Sequence, residues 1–265
     1  MTMQAGSSTR LQTVVHPLIA VAATFRQHER PEELHFKGCI QIIHPSSGAV
    51  RIASDNAIWM LAADRALVLP PHRHHSIQVV AGGALLRMFL PEHLLSDAFC
   101  RSGTLQVSPL LGSLMAAGAA LPGTYRADSA EARLSGVLLD QLHSAVVRDT
   151  GLRLPRDPRA RRVVAHLLQS PSASARLDAI ARTGGASGRT LTRLFKAETG
   201  LGFREFRRQL QVYLAAAHLR AGNTIGDSAF HAGYESQSAF IQAFRRVMGV
   251  TPGAYLAQAD RQVET

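Results

Sequence analysis

The sequence predicts an α+β protein of two domains: an antiparallel β-barrel with trailing helices over residues 1–150, and an all-helical domain over residues 151–265. Three observations support this fold class. Between residues 19 and 88, short apolar runs of strand length alternate with turn residues. After Pro91 the apolar residues recur at helical spacing. In the last third of the chain, two segments share one pattern, a short helix, a glycine, a serine and a longer helix.

The strand-rich region contains the apolar runs IQIIHPSSGAV, AIWML, RALVLPP, SIQVV and ALLRMFL. These runs are rich in β-branched residues, which suit strands. We expect hairpin turns at Pro45–Gly48 and at Gly82–Gly83, because proline and glycine favour turns. Closely spaced strands without intervening helices favour a small antiparallel barrel or sandwich.

The region after these strands predicts helices over residues 93–100, 105–120 and 129–148. The third segment carries an apolar stripe, which we expect to pack on its own domain, with a subunit interface as the alternative. The stripe consists of Leu134, Val137, Leu138, Gln141, Leu142 and Ala145.

The segment Thr150–Pro158 contains two prolines, a glycine and several charges, and we expect it to link the two domains. Its last two residues, Asp157 and Pro158, are typical of a helix N-cap and first position. A helix is therefore expected over about 158–169.

Composition limits the function classes. Apolar residues make up 46% of the 265-residue chain, which is enough for a packed core. We see no apolar run long enough to span a membrane, no secretion signal and only two cysteines, so we expect a cytoplasmic protein with reduced thiols. A phosphate-binding loop, a nucleophile elbow and a C-x-x-C pair are also missing, and we expect no enzyme activity and no cofactor.

Positive charge is concentrated in the second half. Residues 1–155 contain 13 Lys or Arg and 11 Asp or Glu, whereas residues 156–265 contain 16 and 8. A basic excess of this size attracts a polyanion, and nucleic acid is the usual one.

The first repeated segment runs from Leu177 to Lys196 and predicts a helix-turn-helix unit. Gly184 and Gly185 allow the bend, and Ser187 can cap the second helix. One side of that helix is apolar, and the opposite side is polar and basic, as suits a DNA major groove. The outward residues are Arg189, Thr192, Arg193 and Lys196.

The second segment, Ile225 to Arg246, repeats this logic. Thr224 and Ser236 are the expected caps and Gly233 the expected turn residue. The inner face of the second helix is expected to be Ala239, Phe240, Ala243, Phe244 and Val247, and the outer face Gln237, Ser238, Ile241 and Gln242, followed by Arg245 and Arg246 for phosphate contacts. A third helix over 203–221 is long enough to hold the two units at a fixed separation.

The quoted residues resemble the DNA-binding domain of the AraC/XylS family of bacterial transcription regulators. The resemblance covers about residues 157–258 and is carried by FKAETG at 195–200 and AGYESQSAFIQAFRRVMGVTPGAY at 232–255. It implies that the helices beginning at Ser187 and Ser236 enter adjacent major grooves. Many members carry arginine where this chain has Gln242, which leaves the base preference of the second unit open.

By the same alignment, the resemblance implies two sets of DNA contacts. The base contacts would come from Arg189, Thr192, Arg193, Gln237, Ser238, Ile241 and Gln242, and the phosphate contacts from Lys196, Arg245 and Arg246.

Regulators of this family often carry an N-terminal cupin barrel, and residues 19–90 resemble a degraded one. The motif positions that would hold a metal contain His35, Lys37, Gln41 and His75, with His72 in place of a glycine. A lysine and an amide do not complete the imidazole and carboxylate set that such metals need, so we expect no catalytic metal. His35, Gln41, His72 and His75 remain candidates for contacting a small effector at the barrel mouth.

The sequence therefore predicts a DNA-binding transcription regulator that binds double-stranded promoter DNA, responds to an unidentified small molecule at the N-terminal domain, and forms a homodimer. The alternatives are an effector-independent DNA-binding dimer and a metal-dependent cupin enzyme with an appended DNA module.

Overall fold

A computed structural model of the 265-residue chain describes residues 13–15, 19–26, 38–54, 56–170 and 177–263. Antiparallel strands dominate the first half and helices the second, as the sequence predicts. The strands are β1 Thr13–Val15, β2 Ile19–Phe25, β3 Cys39–Pro45, β4 Ala49–Ser54, β5 Ala57–Ala62, β6 Arg65–Leu69, β7 His75–Ala81, β8 Gly83–Pro91, β9 Gly103–Gln106, β10 Thr124–Arg126 and β11 Leu152–Arg153. The α-helices are α1 Pro109–Ala119, α2 Ala130–Ser144, α3 Pro158–Gln169, α4 Leu177–Gly184, α5 Gly188–Thr199, α6 Phe203–Arg220, α7 Ile225–His231, α8 Gln237–Met248 and α9 Pro252–Val263.

The strands form two principal sheets with an apolar core between them. One has the order β2-β8-β3-β6-β9 and the other β11-β5-β4-β7, while β1 pairs with β10. Strand alternation explains the layers. Ile43 packs between the two sheets, whereas Ile40 and Ile42 point to the opposite face and pack with residues of α1 and α2.

Two turns occur where the sequence predicts them, but the prediction that they are hairpins was wrong, because they do not join paired strands of one sheet. Pro45–Gly48 connects β3 to β4, and the segment around Gly82 connects β7 to β8, yet each pair of strands lies in different sheets. These turns are crossings between the two layers rather than hairpins. Such crossings bring the inner faces of both sheets together around one core.

The region after β8 is less helical than the apolar spacing predicts. Residues 93–100 form two short 3-10 helices, Glu92–Leu94 and Asp97–Cys100, and the start of the predicted helix at 105 belongs to β9. On α2 the buried positions are Ser135, Leu138 and Leu142, and Val137 stays 46% exposed. The predicted stripe therefore packs on its own domain through Leu138 and Leu142, but it is rotated towards Ser135.

The C-terminal helices enclose two aromatic clusters, one for each helix-turn-helix unit. In the first, the ring of Phe195 on α5 meets Phe203 and Phe206 on α6 edge-on, with centroids 5.2 and 4.7 Å apart. In the second, Phe244 on α8 lies 5.5 Å from Phe240 and 5.4 Å from Tyr255. Because α6 contributes to both clusters, it joins the units into one helical body.

Helix α6 also packs against the four-stranded sheet. Its Ala217 is buried against Ala49 of β4, and the Tyr213 hydroxyl donates a hydrogen bond to the Thr150 carbonyl at 3.1 Å. The predicted linker is part of this contact, because its strand β11 pairs with β5. The helix predicted after it begins at Pro158, and Asp157 caps it by accepting from the Arg159 amide.

Candidate DNA-binding surface

Helix α5 of the first unit exposes the residues that the family resemblance assigns to DNA contact, to bases for Arg189, Thr192 and Arg193 and to phosphate for Lys196. The Ser187 hydroxyl caps it by accepting from the Thr190 amide, and Leu191 and Phe195 are fully buried. This burial fixes the helix rotation, so Arg189, Thr192, Arg193 and Lys196 are exposed. Two of their polar groups already have partners. The Thr192 hydroxyl donates to the Gly188 carbonyl at 2.9 Å, and the Lys196 ammonium donates to the Gly200 carbonyl at 3.0 Å.

Helix α8 of the second unit has the same construction. Ser236 accepts from the Ala239 amide, and Phe240 and Phe244 are fully buried. Ala239 itself is exposed, so its assignment to the inner face was wrong, because it lies about 100° around the helix from Phe240. Ile241, expected to point outward, is half-buried against the same aromatic cluster. The exposed positions are Gln237, Ser238, Gln242, Arg245 and Arg246.

Glycines at positive φ make both turns. Gly185 has φ +71° and Gly233 has φ +83°, a region in which a side chain is strained. The sequence predicts both turns, although of the two glycines expected at the first bend only Gly185 has a positive φ.

A basic groove beside α8 escaped the sequence analysis. Arg204 and Arg208 of α6 and Arg246 of α8 line a depression of about 360 Å³. The arginine-rich run FREFRR at 203–208 is a sequence signal for such a groove, but only the fold shows that two arginines of this run lie beside Arg246. Glu205 also lines the groove, so three guanidinium groups stand against one carboxylate, and the remaining positive charge suits a phosphate of a DNA backbone.

A stacked histidine pair positions the first helix of the second unit. The rings of His218 on α6 and His231 on α7 are nearly parallel, with centroids 4.4 Å apart, and His218 Nδ1 lies 3.1 Å from the Ser228 hydroxyl. Burial lowers the pKa of His218, and the neighbouring His231 lowers it further, while Asp227 opposes both. The stacked rings and the contact with Ser228 hold α7 against α6.

In the N-terminal domain, two of the four candidate effector residues are buried. Gln41 and His75 are 5% and 4% exposed, and strand alternation directs both between the sheets, on the same sides as Ile43 and Ile77. Gln41 Nε2 finds no hydrogen-bond partner within the described part of the chain. His72 is exposed and adopts φ +63°, a backbone conformation that favours glycine. His35 lies outside the described residues.

Neither a metal cluster nor a membrane-spanning helix is found in the ranges that the structure describes. No three His, Cys, Asp or Glu side chains of these ranges are grouped to hold a metal ion. No helix there is both long and apolar enough to cross a membrane.

Comparison with known proteins places this surface in a family. Residues 180–258 match a family model described as a helix-turn-helix domain. The HTH-type transcriptional regulator NimR of Escherichia coli K12 is 34% identical over 229 residues, which cover 86% of this chain and 82% of NimR. An AraC-like transcription regulator of Streptomyces lividans is 38% identical over 100 residues, 37% of this chain and 33% of that protein. The chain belongs to the AraC family of transcription regulators. Among solved structures, ToxT of Vibrio cholerae covers 91% of this chain and 98% of its own, at 12% identity and a TM-score of 0.39.

Membership of the AraC family makes this chain a DNA-binding transcription regulator. The helix-turn-helix match spans α5, α6, α7 and α8, the helices that carry the two exposed polar faces and the basic groove.

Proposed function

We propose that this AraC-family protein binds promoter DNA sequence-specifically, with α5 and α8 in adjacent major grooves. One observation carries the proposal: each unit presents one capped helix with a buried aromatic face and an exposed polar face, and α6 joins the two. A helix of this kind fits the major groove, and two of them about one DNA turn apart read two successive sites.

The proposal assigns base contacts to Arg189, Thr192, Arg193, Gln237, Ser238, Ile241 and Gln242. Exposure of all but the half-buried Ile241 supports this assignment. Lys196, Arg245 and Arg246 would contact phosphates, together with Arg204 and Arg208 of the basic groove. Phosphate contacts position the protein and make its affinity depend on salt.

We assign residues 1–150 to a cupin-like domain that binds a small effector and forms a homodimer, and residues 151–265 to DNA binding in the cytoplasm. The positive φ of His72 at the motif's glycine position supports the cupin assignment. Gln41 and His75 would face an effector between the sheets. Three large apolar side chains are exposed in the described part of residues 1–150 and would be available to a second copy: Leu110 (55%), Val137 (46%) and Val146 (63%).

The test is selection of genomic DNA fragments by the purified protein, followed by titration of the best fragment and of random DNA at two salt concentrations. We expect two motifs about one helical turn apart, bound far more tightly than random DNA. In the same assay, Arg193→Ala should weaken specific binding by about 1–3 kcal/mol, the scale of one good base contact.

Arg101→Ala is the matched control, because Arg101 is exposed in the N-terminal domain, far along the chain from both recognition helices. An equal loss on specific and random DNA for Arg193→Ala would exclude base reading by that residue. Salt-dependent binding without an enriched motif would overturn sequence-specific recognition.

A further inference from the structure

A small pocket lies on the outer side of the five-stranded sheet, beside the start of α1. Its volume is about 250 Å³, below the roughly 300–1,000 Å³ of sites for drug-sized ligands. His44 of β3 follows Ile43, which faces the space between the two sheets, so the His44 side chain points the other way, towards α1. The pocket is therefore separate from the space between the sheets, to which Gln41 and His75 point.

His44 supplies one hydrogen-bond acceptor to this pocket. The residue is 3% exposed, and its Nδ1 atom lies 3.4 Å from the Arg65 carbonyl oxygen. Because a carbonyl oxygen only accepts, the neutral ring carries its proton on Nδ1 and a lone pair on Nε2. Burial lowers the pKa of His44, so this neutral form prevails above pH 6.5. Nε2 has no hydrogen-bond partner among the described residues and is therefore available to a ligand.

Three serine hydroxyls line the same pocket, and two of them can only accept. Ser46 and Ser113 each donate their single proton to a backbone carbonyl oxygen, at 3.3 and 3.0 Å. Ser108 caps α1 by accepting from a backbone amide at 3.1 Å, so its proton is still available. Since a hydroxyl has one proton and two lone pairs, the pocket offers acceptors at His44, Ser46 and Ser113 and a donor at Ser108.

The pocket provides no charge to balance an ion. Its lining contains no Lys, Arg, Asp or Glu from the part of the chain that the structure describes. The rest of the wall is small and apolar, with Ala63, Val107, Pro109, Gly112 and Ala116. An ion would lose hydration here without gaining a counter-charge, which is costly. The pocket therefore suits an uncharged molecule with a short aliphatic body and more donors than acceptors.

We infer that this pocket binds a small primary amide. A primary amide is uncharged and carries two N–H donors and one carbonyl acceptor. Its N–H groups donate to the acceptors at His44 and Ser113, its carbonyl oxygen accepts from Ser108, and its alkyl group lies against Val107 and Gly112. As an effector site the pocket rests on the proposed function, for which it names the ligand class and a place outside the space between the sheets.

The pocket is connected to the DNA-binding domain through Asp64. Asp64 follows Ala63 of the wall, and its carbonyl oxygen accepts from the amide of Val107 at 2.9 Å. Its carboxylate lies 3.7 Å from Nη2 of the buried Arg220 on α6, the helix that joins both helix-turn-helix units. A ligand that favours one position of this segment changes DNA affinity to the extent that it binds that arrangement better than others.

Three probes of similar size test the ligand class on the full-length protein. Isobutyramide is the primary amide, N,N-dimethylacetamide is its isomer without an N–H group, and isobutyrate is its charged counterpart. Binding is measured by saturation-transfer difference NMR over a range of probe concentrations. We expect a saturable signal with isobutyramide and no saturation in the same range with the other two probes.

Two variants and a control locate the site. Gly112→Ala narrows the pocket, because the added Cβ would lie 3.5 Å from Val107 Cγ1, an ordinary contact that leaves the fold intact. His44→Phe removes the Nε2 acceptor, with circular dichroism to verify the fold. Each variant should weaken isobutyramide binding by about 2–10-fold, the effect of one lost hydrogen bond. Gly136→Ala, at an exposed position of α2 with open space around the added Cβ, should match the wild type.

Equal saturation by isobutyramide and N,N-dimethylacetamide, or by isobutyramide and isobutyrate, would overturn the ligand class. Unchanged isobutyramide binding in Gly112→Ala or in His44→Phe, or no saturable binding by the wild type, would overturn the site.

The effector role is tested by measuring specific DNA affinity with and without isobutyramide. We expect a change that is lost in Asp64→Asn, whose fold is verified by circular dichroism. Amide binding that leaves DNA affinity unchanged would overturn the effector role, and a change that persists in Asp64→Asn would overturn the connection through Asp64. If the amide binds while no DNA motif is selected, the proposed function fails and the site stands. Selective DNA binding without amide binding gives the reverse result.

Discussion

Replacing Gly184 by alanine should destabilise the first helix-turn-helix unit. Gly184 ends α4 at its crossing with α3, and a Cβ atom there would lie 2.5 Å from the Arg159 carbonyl oxygen and 2.8 Å from Val163 Cγ2. Ordinary contact begins at 3.4 Å. The Arg159 oxygen belongs to the α3 backbone and cannot rotate away, so the two helices must separate. The crossing is also tied by a 2.7 Å hydrogen bond from Arg162 Nη2 to the Gly184 carbonyl.

The magnitude follows from two opposing effects. Overpacking of a well-filled contact costs about 1–3 kcal/mol. Alanine regains about 0.5–1 kcal/mol because it restricts the unfolded chain. Taken at the middle of both ranges, the free energy of unfolding should therefore fall by about 1 kcal/mol, measured by urea denaturation with circular dichroism at 222 nm.

Gly136→Ala provides the matched control. Gly136 lies within α2, is exposed, and has no atom within 4 Å of an added Cβ. This variant should gain about 0.5–1 kcal/mol from helix propensity alone. If Gly184→Ala were as stable as the wild type, the close α3–α4 crossing would be refuted as a constraint on the first unit.

Three further predictions concern the DNA-binding surface and the barrel. Arg208→Ala should weaken binding to specific and random DNA equally and lower the salt slope by about one, as measured by titration at several salt concentrations; a selective loss would assign Arg208 to base reading. Ser236→Ala removes the α8 cap and should cost about 1 kcal/mol in urea denaturation, whereas an unchanged midpoint would contradict the cap. His44 is 3% exposed, and its burial lowers its pKa below the ordinary 6.5, an effect that the Arg65 carbonyl and Asp64 partly oppose. As the pH falls below 6.5, His44 becomes protonated in the unfolded chain at a higher pH than in the folded chain, which favours the unfolded state. The stability that neutral His44 contributes is therefore lost as the pH falls through the folded-state pKa. The Tm difference between the wild type and His44→Gln should accordingly narrow from pH 7.5 to 5.5, and a constant difference would contradict this reasoning.

Local signals in the sequence were sufficient for the helix-turn-helix units. A serine cap and a glycine at positive φ depend on residues close in the chain, and Ser187, Gly185, Ser236 and Gly233 occupy the expected positions. The burial of Ile241 could not be predicted in this way. Its position at the edge of the apolar face depends on how far the aromatic cluster extends around α8.

Long-range relations were not predictable in the same way. The turn at Pro45–Gly48 has ordinary turn chemistry, but which strands pair afterwards depends on distant residues. The proximity of Arg204 and Arg208 to Arg246, and of Trp59 to Tyr213, likewise arises only when helices and sheets pack.

Helix α6 has a consequence for the DNA as well as for the protein. Its 18 residues extend for about 27 Å as one unbroken helix, and its side chains are part of the cores of both units. The two recognition helices therefore keep a constant distance and a constant rotational phase. If α5 and α8 enter adjacent major grooves as proposed, insertion of about five base pairs between the two half-sites would turn one of them to the opposite side of the duplex, beyond the reach of the second unit. Promoters that this protein controls should vary in base sequence far more readily than in spacing.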